Sequence, residues 1–106
     1  MTTFDKREEA FEKRFALDEE QKFKAVARRN RLLGLWTAEK LGKSGDDALV
    51  YAKDLVAVAI EGGEAAVVRK ITGDLAARSI SADEATLRAK FDELAALAAA
   101  QVKAGI

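Results

Sequence analysis

Residues 41–64 read LGKSGDDALVYAKDLVAVAIEGGE, an apolar stretch held between two glycine-marked breaks, and the fold follows from how that stretch is read. Gly42 can take the left-handed conformation that ends a helix, and Ser44 can cap a new one with Asp47 three positions on. From about Asp46 to Ile60 the apolar residues Leu49, Ala52, Leu55, Val56, Ala59 and Ile60 recur at helical spacing. Val50, Tyr51 and Val58 widen the stripe beyond that of a surface helix, so this helix is expected to be the most buried element. EGGE, residues 61–64, ends it.

Working outward towards the C-terminus, Val67, Val68, Ile71 and Leu75 mark a third helix. Gly73 inside it costs about 1 kcal/mol relative to alanine, so that helix is expected to be short or bent. SADE, residues 81–84, reads as a capping box with Ser81 as N-cap and Glu84 at N3. It opens a helix with Leu87, Phe91, Leu94, Ala98 and Val102 on one side. Helices of this length joined by short loops pack as antiparallel neighbours, so the expectation is all-α, a four-helix bundle.

Towards the N-terminus no proline interrupts residues 4–41 and Gly34 is the first glycine, which predicts one long helix or two collinear pieces. A helix of that length runs roughly 55 Å, more than so small a bundle can cover, so part of it should project. Its opening stretch, FDKREEAFEKRFALDEEQKF (residues 4–23), carries four phenylalanines in a field of charge. At about 100° per residue Phe11 and Phe15 fall within about 20° of Phe4, whereas Phe23 lies near 100° and is expected closer to the bundle. Three phenylalanines thus form a narrow seam. It suits either docking on its own bundle or lying in a groove of another protein, and the residues alone weigh the two equally.

Composition removes most other functions. The 106 residues contain no cysteine, histidine or proline, which excludes disulfides, thiol nucleophiles, imidazole chemistry and a histidine pH switch. No catalytic or metal-binding residues are expected, and no cofactor is required. Eighteen basic and eighteen acidic residues cancel, which argues against a generic nucleic-acid binder. Residues 1–20 hold seven acidic and four basic groups, while residues 21–31 hold five basic groups and no acid, so the charge changes sign along the first helix. Neither a leader peptide nor a membrane span is apparent, and the protein is expected to stay where it is made.

Four local signals have plain structural readings. Gly42-Lys43-Ser44 lacks the preceding glycine and strand of a phosphate loop, and reads as a helix–helix turn. The basic run Lys22, Lys24, Arg28, Arg29 and Arg31 lacks interleaved aromatics; it is a solvated face or a contact for an acidic partner surface. Leu32, Leu33, Leu35 and Trp36 around Gly34 form a packing node where another backbone can come close. The adjacent carboxylates Asp46-Asp47 and Glu19-Glu20 point in different directions on a helix and suit helix starts better than metal or acid chemistry.

FDKREEAFEKRFALDEE (residues 4–20), followed by ARRNRLLGLWTAEKLGKSGDDALVYAK (residues 27–53), resembles the ATPase inhibitor zeta subunit family of alphaproteobacterial F-type ATP synthases. The run from Arg28 to Trp36, with Gly42-Lys43 and Gly45-Asp46-Asp47, is the most specific portion. The resemblance implies a four-helix bundle over residues 20–106 and a mobile inhibitory segment over residues 1–19. That segment would enter a catalytic α/β interface of the F1 head as a helix and block rotation in the hydrolysis direction, much as the mitochondrial inhibitor protein does. The implied partners are the F1 alpha, beta and gamma subunits. The implied location is cytoplasmic, peripheral to the inner membrane through the synthase, with a monomer when free. Matching positions are Phe4, Asp5, Arg7, Glu8, Phe11, Glu12, Lys13 and Phe15, with the phenylalanines as apolar anchors and the charges setting register. The family is also associated with weak adenine-nucleotide binding, for which no residue here marks a site. A nucleotide-binding sensor bundle and a self-associating helical protein are the competing readings.

Overall fold

The computed structural model of the chain describes residues 16–106. Among them are three helices and no strand: α1 (Glu19–Lys40), α2 (Gly45–Ala77) and α3 (Glu84–Ala104). The first lies against both of the others and forms the spine of the molecule.

Of the two expectations for residues 4–41, one long helix or two collinear pieces, the start of α1 removes the first. Ala16 sits at φ 47 and residues 16–18 are not helical. Asp18 is the N-cap: its carboxylate accepts from the Gln21 N–H at 2.8 Å, while the Gln21 side chain accepts from the Asp18 N–H at 3.2 Å. This reciprocal box satisfies two of the orphan donors of the first turn, and Glu19 and Glu20 complement the helix dipole there. At the other end Gly42, at φ 78, terminates α1. The Gly42 N–H donates to Glu39 and the Lys43 N–H to Ala38, which satisfies the last carbonyls.

Among the described residues the expected four helices are likewise three. EGGE is not a multi-residue loop: only Gly63 (φ 70, ψ −168) leaves helical geometry, and α2 is two helical arms that meet at this kink. That single residue turns α2 sharply. The Tyr51 hydroxyl donates to Asp74 Oδ2 at 2.6 Å, although 23 residues of straight helix would separate them by roughly 35 Å. The arm before Gly63 and the arm after it therefore lie side by side, clasped by Tyr51, Asp74 and Lys70. Burial and the bond to Asp74 push the Tyr51 phenol well above its usual range. Burial alone would raise Asp74, but the Tyr51 hydroxyl and the Lys70 ammonium outweigh it and hold the carboxyl below its usual value. The bend expected at Gly73 is absent, and the second arm runs through it in helical geometry.

Ser44 occupies the N-cap of α2 but makes no side-chain bond there. The cap of α3 is Asp83 instead of Ser81: its carboxylate accepts from the Thr86 N–H at 2.6 Å, and this backbone bond holds Asp83 below the usual carboxylate range. Between α2 and α3 the chain turns through Ser79, at φ 57, with the Ile80 N–H returning to Leu75.

The main core joins Leu33 of α1 to Leu55, Val67, Ile71 and Leu75 of the two α2 arms and to Leu87 and Phe91 of α3. Gly34 is the close-approach point foreseen in the sequence: a Cβ there would stand 2.6 Å from the Ala52 Cα. The first arm is less buried than its composition predicts. Tyr51, Ala52 and Leu55 face inward, whereas Leu49, Val50 and Ile60 are exposed, Ile60 by 75%. Its apolar surface is wider than its neighbours cover.

Candidate functional site

Where the N-terminal segment joins the body is fixed by Leu17. This side chain is buried against Ala25 of α1 and Ala99 and Val102 of α3, apart from the main core. Lys103 Nζ donates to the Ala16 carbonyl at 3.4 Å, and the Asp18 cap follows at once. Three consecutive residues thus tie the chain to the meeting of the α1 N-terminus and the α3 C-terminus. Phe4, Asp5, Arg7, Glu8, Phe11, Glu12, Lys13 and Phe15 all precede this anchor and lie outside the described residues.

The basic run does not form one face. Lys22 pairs with Glu19 and Lys24 with Glu20, each at 3.1 Å, one helical turn apart on the exposed start of α1. Arg28 donates to the backbone oxygen of Ile106 and so ties α1 to the end of α3. Arg31 is exposed. Arg29 is buried: its guanidinium lies 4.3 Å from the centre of the Phe91 ring and donates to the buried Asn30 side chain at 3.2 and 3.3 Å. A buried arginine on an aromatic face is a packing element, worth more than the same pair in water. Sequence reading counted Arg29 with its solvated neighbours because charge alone was weighed. The signal that could have separated it is its spacing of four from both Ala25 and Leu33.

Phe23 also departs from expectation. It is 72% exposed and not drawn towards the body, because it lies two residues before Ala25, about 200° around the helix from that buried position. The GKS turn behaves as a plain connection, since its Gly42 and Lys43 N–H groups are already committed to the α1 carbonyls. Trp36 is half-buried against the main core, with the Lys40 and Lys90 ammonium groups 4.9 and 5.8 Å from its ring.

Sequence reading missed a cleft of about 430 Å³ between the second arm of α2 and the start of α3. One wall carries Glu64, Ala65, Val68 and Arg69, and the other Glu84, Leu87, Arg88 and Phe91. Val68, Leu87 and Phe91 give it an apolar floor, and one acid and one base stand on each wall. Phe91 serves two purposes, with its ring contributing to this floor while also packing against Arg29. No group of three or more potential metal ligands occurs among the described residues, and no described helix is long and apolar enough to cross a membrane.

Compared with known proteins, residues 1–101 match the family model for ATPase inhibitor subunit zeta. A solved chain described as "Solution NMR structure of the protein" is 47% identical, covers 79% of this chain and 96% of its own length, and superposes with a TM-score of 0.68. No curated protein matches.

Proposed function

This chain belongs to the ATPase inhibitor subunit zeta family, and from that premise we propose that it restrains ATP hydrolysis by inserting its N-terminal segment as a helix into a catalytic α/β interface of F1. The family is one of regulatory subunits of ATP synthase, not of enzymes. The partners at the insertion site are the alpha and beta subunits, with gamma as the rotor whose turning in the hydrolysis direction is blocked. Phe4, Phe11 and Phe15 supply the apolar anchors, while Asp5, Arg7, Glu8, Glu12 and Lys13 set register against charged neighbours.

One observation carries this reading from family to mechanism. The body of the protein begins at Leu17 and Asp18, so every residue of the phenylalanine seam lies before the anchor. A segment so placed can engage another protein without dismantling the core. The anchor also defines the truncation that tests the proposal. Removing residues 1–19 would strip Leu17 from its apolar contacts and the cap from α1, mixing loss of contact with loss of fold. Removing residues 1–15 spares both. That variant should still melt cooperatively and should no longer inhibit ATP hydrolysis by purified F1; full inhibition by the truncated chain would refute the mechanism.

A further inference from the structure

We propose that the cleft between the second arm of α2 and α3 is the resting site of the chain's own residues 4–15. The proposal deepens the inhibitory reading and rests on it for its consequence. Docking itself is read on the free chain without F1, so failure of docking and failure of inhibition are separate results.

Two features of the cleft select its occupant. The first is charge. Glu64 and Glu84 balance Arg69 and Arg88 around an apolar floor, so a phosphate or a nucleic-acid strand would meet two carboxylates. Residues 4–15 have the matching character: the seam of Phe4, Phe11 and Phe15 lies among four acidic and four basic side chains, which cancel as the rim does. An amphipathic helix with mixed flanks suits a groove with an apolar floor and mixed rims.

The second feature is reach. Leu17 rests on Ala99, and Ala99 lies 11 residues after Arg88 on α3. Eleven residues are close to three turns, so the two positions fall within about 20° on the same side of the helix. The axial distance between them is roughly 16 Å, and twelve residues as a helix span roughly 18 Å. A segment leaving the Leu17 anchor along this side of α3 therefore arrives at the cleft. Its Phe15 end lies nearest the anchor and its Phe4 end nearest Glu84.

A segment held this way must leave before it can enter another protein, which lowers its apparent affinity by the fraction of chains already released. The cleft then sets the strength of the inhibitor without touching its contacts.

The absence of cysteine makes the test clean. A nitroxide is attached to full-length chain at Ala85→Cys, beside the cleft, or at Lys53→Cys, on the exposed side of the first arm. Broadening of the amide signals of residues 4–15 is then compared. The expected result is several-fold stronger broadening from position 85, falling to the position-53 level when Ala65→Glu and Arg69→Glu make the rim strongly acidic. Both substituted residues are exposed on a helix, so the amide spectrum of residues 20–106 should remain that of the folded body. Equal broadening from the two positions would overturn the proposal. So would broadening that appears only when nitroxide and isotope are on different molecules, since the occupant would then be a second copy.

Discussion

Substituting alanine for glycine in a helix interior stabilises by about 1 kcal/mol when nothing else changes. Gly34 and Gly73 both lie inside helices with ordinary backbone angles, so propensity alone predicts the same gain at each. Their surroundings predict opposite signs. A Cβ at Gly73 meets nothing within 4 Å, and Gly73→Ala should gain up to about 1 kcal/mol. A Cβ at Gly34 would stand 2.6 Å from the Ala52 Cα and 3.1 Å from its Cβ. Carbon atoms rest at about 3.5–4.0 Å, so α1 and the first α2 arm would have to separate by about 1 Å. Neither atom can rotate away, and the separation would loosen Leu33 against Leu55, both fully buried. Overpacking of this kind costs about 1–3 kcal/mol; set against the propensity gain, Gly34→Ala should lose about 1 kcal/mol and melt about 4–8 °C lower. Urea unfolding of the two variants should therefore diverge by about 2 kcal/mol.

A second variant tests whether the contact is with backbone. Ala52→Gly in the Gly34→Ala background removes the 3.1 Å contact but leaves the shorter one to Cα. It also adds a glycine to α2, so the double variant should be no more stable than Gly34→Ala alone. Equal stabilisation at Gly34 and Gly73, or full rescue by Ala52→Gly, would refute the close helix contact.

The helix caps give a further set. Asp18→Ala should lose about 1 kcal/mol in urea unfolding and Asp83→Ala should also unfold at lower urea, whereas Ser44→Ala and Ser81→Ala, which remove no cap bond, should change little. Ser79→Gly should gain about 0.5 kcal/mol, because Ser79 holds the left-handed backbone that glycine takes without strain. Tyr51→Phe should lose about 1 kcal/mol by leaving Asp74 with Lys70 alone. The Tyr51–Asp74 clasp also fixes a pH dependence. Asp74 is depressed in the folded state, so its contribution is present above the unfolded carboxylate value of about 3.9 and is lost as pH falls through the lower folded value. Tyr51 is raised, so its contribution is complete below the unfolded phenol value of about 10 and declines as pH rises beyond it. Thermal melts against pH should show the alkaline decline to be shallower in Tyr51→Phe.

Much of the helical layout could be read from the chain because its turns are marked by residues with one conformational use. Gly42 ends α1 in the left-handed region, as its position after an apolar helix requires. The capped starts were harder. Both Ser81 and Asp83 have a partner three residues on, and the structure uses the ionised acceptor, which bonds an N–H more strongly than a hydroxyl does. The hinge at Gly63 could be seen as punctuation but not as a single-residue turn, since doubling back depends on a clasp 23 residues apart. The cleft could not be seen at all. Val68, Leu87 and Phe91 have the spacing of core residues, and only the placement of two helix arms decides whether such residues close on one another or leave a groove.

The break at residues 16–18 changes how the phenylalanine pattern itself should be measured. Angular phase at about 100° per residue has meaning only within one helix, because each step presumes the backbone of the previous one. Ala16 is not in helical geometry and Asp18 caps the start of α1, so the phase of Phe23 relative to Phe4 carries no information. Its exposure follows from its place on α1 alone. Phe4, Phe11 and Phe15 all fall before the break, and their mutual spacing of seven and four is untouched by it. The seam is thus separated from the body in sequence by the non-helical residues 16–18, and Phe23 belongs to the body's surface. Replacing Phe11 and Phe15 with alanine should weaken inhibition of F1, while Phe23→Ala should leave any inhibition that depends only on the seam unchanged; equal loss at Phe23 would show that recognition continues past the anchor onto α1.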